Sequence, residues 1–179
     1  MFLALWVPNG LIVGCESLYV SYSPRHAGLL FAFGALGMLA GDIAVGRFVP
    51  QRWRVRLGAP LRLLLAAPFL VFALNPGLAV ATVAVTLATV GYAASLLLQE
   101  RLMELTPEEL SGHALGLHSS GMLTMQGVGA AVAGTVAQVT SPATGMAVMA
   151  AVSIVVTLVL APGLRAAPPK GRESGYVFT

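Results

Sequence analysis

Charge is what this chain has least of. Only 9% of its 179 residues are Asp, Glu, Lys or Arg, 57% are hydrophobic, and mean hydropathy is +0.84. Soluble domains carry roughly a quarter charged residues, so a water-soluble globular fold is excluded. The single cysteine, Cys15, rules out an intramolecular disulfide, and its place in an apolar run reads as a buried, inert thiol. Histidines number three, and no histidine and acid recur at ligand spacing, which argues against a metal centre. A phosphate-cradling Gly-x-x-x-x-Gly-Lys loop is absent, so nucleotide-driven work is not expected and no cofactor is implied. The ten basic residues are scattered along loops instead of gathered on one face, which excludes nucleic acid as the partner. Period-two alternation is missing as well, and with it a membrane β-barrel.

What remains is a series of apolar runs, at 2–22, 27–48, 59–74, 78–98, 114–139 and 146–161. Each comes near the roughly 20 residues that cross a bilayer as a helix. Between them lie breakers: Ser23-Pro24, the run from Pro50 to Gly58, Asn75-Pro76-Gly77, the polar stretch from Gln99 to Gly112, and Ser141-Pro142. The start, Met1-Phe2-Leu3, has no basic segment before its apolar run, so that run is expected to be retained as a span. The sequence thus predicts an all-α membrane protein of six transmembrane helices over 1–165, with a tail at 166–179. Thr106-Pro107-Glu108-Glu109 reads as an N-cap, a first-turn proline and a capping box opening the fifth helix.

Basic residues fix the orientation. With both termini cytoplasmic, Arg47, Arg52, Arg54, Arg56, Arg62, Arg101, Arg165, Lys170 and Arg172 all lie inside, and Arg25 alone lies outside. An odd number of spans would set the basic second loop and the basic tail on opposite sides. The expected address is the cell membrane, multi-pass.

Two acids fall within the spans. Glu16 stands well inside the first, where an ionised carboxylate costs several kcal/mol or more, so it should face the bundle interior. A carboxyl there is suited to loading and releasing a proton. Asp42 lies toward the inner end of the second span, beyond Gly34, Gly37 and Gly41, whose lack of side chain permits close helix contact. Asp42 and Arg47 are expected to work there as a latch, one capping a neighbouring helix and the other pairing to another loop. In the fifth span the spacing places His118 and Gln126 near one face, where both can line a polar cavity; the alternative sets His118 at the cytoplasmic border and has Gln126 bond a neighbouring helix. Asn9, beside Pro8, is a candidate for the same pathway if the proline frees backbone carbonyls; the preferred reading of Pro8 is a simple kink near the membrane border. Gly127, Gly129, Ala130, Ala131, Ala133 and Gly134 read as close-packing positions.

An intramembrane serine protease is the competing class, prompted by His118-Ser119-Ser120-Gly121. It lacks a base, because no histidine follows His118, and a serine without one is not an activated nucleophile. An enzyme is not expected.

The stretch Gly37-Met38-Leu39-Ala40-Gly41-Asp42-Ile43-Ala44-Val45-Gly46-Arg47 resembles the loop signature of the major facilitator superfamily, written G-x-x-x-D-R-x-G-R-R, with the first Gly one place early, Ile43 in place of the basic residue after the acid, one extra residue between Asp42 and Gly46-Arg47, and Phe48 in place of the last Arg. Trp6-Val7-Pro8-Asn9-Gly10 with Gly14-Cys15-Glu16 resembles the first helix of the second half of actinobacterial-type members. Thr106 to Leu110, with Gly116 to Gly121 and Met125-Gln126-Gly127, resembles the fifth. The resemblance implies a half-bundle with an inverted three-plus-three repeat, and a carrier moving a small molecule by alternating access, in the export direction and coupled to protons or another cation. Gly41, Asp42, Gly46 and Arg47 would form its cytoplasmic gate. Its partners would be the lipid bilayer, the substrate, the coupling ion, and either a missing N-terminal six-helix half or a second copy of this chain. Relatives of this kind make a fragment of a longer carrier the expected account of the length, ahead of a self-pairing half-size carrier or a non-transporting subunit.

Overall fold

The computed structural model describes residues 2–165, and every regular element among them is helical. The expected tail at 166–179 lies outside the described residues. Five helical segments are long and apolar enough to cross a membrane: Ala27–Phe48, Arg56–Leu74, Leu78–Glu104, Glu108–Val139 and Pro142–Leu160. The sixth apolar run, at the N-terminus, is divided into Phe2–Ser17 and Tyr19–Tyr22. The division has a local cause. Ser17 Oγ donates to Gly14 O at 2.7 Å, and the backbone tightens so that Leu18 N reaches Cys15 O at 3.1 Å, one residue short of the α-helical partner. Pro8, by contrast, sits inside an unbroken helix.

Element ends correct several expectations. The third helix begins at Gln51, so most of the arginine-rich run read as a breaker is helical; Pro50 stands at its N-cap, where a missing N–H costs nothing. It ends as a 3-10 turn, Ala67–Leu74, closed by Asn75 in the left-handed region at φ 47. The sixth helix starts at Pro142 because Ser141-Pro142 is a start signal: Ser141 Oγ accepts from Thr144 N at 3.1 Å. The expected capping box does not form. Thr106 Oγ1 donates back to Leu102 O at 2.7 Å, closing the fourth span, and the chain re-enters helix at Glu108–Leu110 without a side-chain cap.

The spans pair in a definite pattern. The first packs on the fifth and sixth, the second on the fourth, and the third on the sixth. Glycines set the closest approaches. A β-carbon on Gly14 would stand 2.6 Å from Gly129 O, while Gly37 and Gly41 lie against the backbone of Thr86 and Val90. Gly127 and Gly134, expected to pack, face open space instead. Contacts ascend together along each pair: Asn9 meets Gln126 and Gly14 meets Gly129, while Gly34 meets Val85 and Gly41 meets Val90. The first and fifth spans therefore run parallel, as do the second and fourth, which is what alternating crossings require. A core of Ile12, Tyr19, Phe69, Phe72, Met146 and Met149 joins the first, third and sixth. Large apolar side chains such as Leu36, Leu123 and Val159 stay exposed, as suits a chain whose solvent is lipid.

Candidate functional site

The fourth span is interrupted at Gly91-Tyr92, between Leu78–Val90 and Ala93–Glu104. Gly91 is pressed against the third span, where a β-carbon would lie 2.5 Å from Leu61 O and from Leu65 N. The interruption stands midway along this 27-residue span. Tyr92 is buried, and its hydroxyl donates to Glu16 Oε1 at 2.9 Å. The carboxyl of the first span is thereby held by a neutral donor, with no basic residue bonded to it among the described residues.

Beside this pair lies a cavity of about 420 Å³. One stripe of the second span lines it, Phe31, Gly34, Ala35, Met38 and Asp42, at the three- and four-residue spacing of a helix face. Leu39 of the same span, Glu16 and Tyr19 of the first and Thr89 of the fourth complete it. The cavity therefore brings together the two intramembrane acids that stand apart in the sequence. Asp42 does not pair with Arg47, which is exposed on the π-helical turn Ala44–Phe48.

The charged contact at that end belongs to Arg54. Its Nη1 lies 2.8 Å from Glu100 Oε1, its Nη2 donates to Gly46 O at 3.0 Å, and its Nε donates to Val49 O at 3.0 Å. One guanidinium thus closes the free carbonyls ending the second span and ties them to the fourth. Of the four residues expected in a gate, Gly41 packs against Val90, Gly46 offers its carbonyl to Arg54, Asp42 lines the cavity, and Arg47 is exposed.

The remaining candidates form a second polar seam. Gln126 Nε2 donates to Asn9 Oδ1 at 3.2 Å, and Trp6 Nε1 donates to His118 Nδ1 at 3.3 Å. His118 and Gln126 do share a face, turned to the first span. Asn9 and His118 are both buried. Pro8 O accepts from Ser153 Oγ at 3.4 Å, so the carbonyl beside Asn9 is satisfied by the sixth span and is not open to a pathway. None of these residues borders the cavity at Glu16.

Sequence reasoning missed Tyr92, Arg54 and Glu100. A Gly-Tyr pair in the middle of an apolar span was the available signal for Tyr92. Nothing in the run Arg52, Arg54, Arg56 singles out its middle member. Among the described residues no three His, Cys, Asp or Glu side chains gather as metal ligands. Cys15 is buried, with its thiol 3.4 Å from Met146 O. Comparison with protein families, with curated proteins and with solved structures gives no match, so functional assignment rests on the residues themselves.

Proposed function

We propose that this chain is one six-helix half, the second, of a secondary transporter of the major facilitator kind, moving a small molecule across the cell membrane by alternating access. Glu16 is its proton- or cation-sensitive group. The observation that carries the reading is the Glu16–Tyr92 hydrogen bond between two apolar spans, beside a cavity. Membrane-embedded acids are costly, and they are kept where they serve an ion or substrate path.

The pairing of the spans supports it. Exchange the first three with the last three, and the first–fifth contact becomes the fourth–second contact, while third–sixth maps onto itself. An inverted three-plus-three repeat would generate that pattern, and carriers built from such repeats bind substrate near the midplane between halves. The low burial of the second, third and fifth spans leaves faces against which a further six-helix half, or a second copy of this chain, could be seated.

In this mechanism Glu16 alternates between carboxylate and acid. As the carboxylate it accepts from Tyr92; as the acid it donates to the tyrosine oxygen, so one partner serves both states. The Arg54–Glu100 bridge holds the inner end closed. Its groups are one-fifth and nearly one-half exposed, so the ion pair contributes about 1 kcal/mol or less, weak enough to break in each cycle.

The test is transport in proteoliposomes by this chain alone and by the chain fused behind a six-helix first half. Proton-gradient-driven uptake in the fusion supports the half-carrier reading, and uptake by the chain alone assigns the missing half to a second copy. No uptake in either, with both folded, refutes it.

A further inference from the structure

Resting on the carrier reading, we infer that the cavity beside Glu16 binds an organic cation with an apolar body. The chemistry of its walls selects that class. Carboxyls stand at two places, Glu16 and Asp42, and no Lys, Arg or His lines it. An anionic solute would meet two like charges and no counter-charge. A polyhydroxylated solute needs many donors and acceptors, yet beyond the acids the walls offer little. Thr89 already donates its hydroxyl to Thr86 O, and the rest of the lining is largely hydrocarbon and aromatic.

Two further features fit a cation. Tyr19 and Phe31 both line the cavity, their rings 5.2 Å apart and tilted at 60°, so that π-electron density borders the same space as the acids. Tyr19 is only 1% exposed, so its ring is a fixed part of this wall. Tyr92 occupies one oxygen of Glu16; the other accepts no hydrogen bond among the described residues. The volume, about 420 Å³, falls in the range of roughly 300–1,000 Å³ typical of small-molecule sites. A quaternary or lipophilic cation would place its charge between the carboxyls and its hydrocarbon against Phe31 and Met38.

The inference is tested with two ions of one shape and opposite charge. Binding of labelled tetraphenylphosphonium and of tetraphenylborate to the full chain in nanodiscs is measured at equilibrium, with uptake by empty nanodiscs subtracted. Saturable phosphonium binding is expected, with no saturable borate binding. Glu16→Gln should weaken the phosphonium by at least about tenfold, the scale of a lost charge-assisted contact. Where Glu16→Gln does not fold, Asp42→Asn decides, since Asp42 makes no hydrogen bond among the described residues that folding would miss. Saturable borate binding, absence of saturable phosphonium binding, or phosphonium binding unchanged in the deciding variant overturns the inference. Binding needs no transport, so the two readings fail separately: phosphonium bound at Glu16 without flux by either the chain or the fusion removes the carrier, and flux without such binding removes the cation site.

Discussion

Glu16 and Tyr92 share one hydrogen bond across 76 positions of sequence, and each loses something specific when the other is changed. Tyr92→Phe removes the donor and keeps the ring that packs in the core. A hydrogen bond to a charged group contributes about 1.5–3 kcal/mol, so flux in the fused carrier should fall about tenfold or more while the helical signal is retained; unchanged flux would remove Tyr92 from the site. At the inner end, Arg54→Ala frees the carbonyls of Gly46 and Val49 and unpairs Glu100. Labelling of a cysteine placed at Ala44, in a Cys15→Ala background, should then speed up severalfold, and no change in labelling would deny Arg54 a part in closure. Glu16 was legible in the sequence because an acid in an apolar run has few innocent explanations. Its partner was not, since a tyrosine in a span is ordinary until the helix is seen to break beside it.

At the scale of the element, glycine placement separates contact from coincidence. Gly129 and Gly127 look alike in sequence, two positions apart on the fifth span. Gly129 faces the backbone of Gly10, whereas Gly127 faces open space. Gly129→Leu should therefore destabilise the chain by about 2 kcal/mol or more, as overpacking does, and lower its melting temperature in detergent. Gly127→Leu should leave that temperature unchanged; equal effects from the two would mean that the first and fifth spans do not pack as described. Hydropathy marked the spans but set their ends poorly. Pro50 and Ser141-Pro142 read as breakers, yet proline at a helix start is tolerated because its missing N–H is an orphan there. Thr106 carried a capping pattern, and its hydroxyl went to the preceding helix instead. In both cases the deciding partner was a backbone group whose position depends on the neighbouring turn.

For the whole molecule, alternating parallel pairs put residues 2 and 165, the limits of the described residues, at one end of the bundle together with the ends of the second, third and fourth spans that carry Arg47, Arg54 and Arg101. Single cysteines at Gly77 and Gly112, both exposed positions with open space around them, should label from opposite sides of a sealed vesicle in a Cys15→Ala background. Labelling from one side would break the six-crossing topology. Composition pointed to the bilayer, and the apolar runs with the breakers between them marked the crossings. The pairing of first with fifth and second with fourth was beyond both, since every span offers glycines or other small residues and only contact shows which ones meet.

The most direct test of the central claim is substrate flux driven by an imposed pH gradient in proteoliposomes holding the fused carrier, compared with its Glu16→Gln form. Our account predicts gradient-driven uptake in the first, and in the second uptake that no longer responds to the gradient while the protein remains folded. Uptake that follows the gradient equally well in both would contradict it.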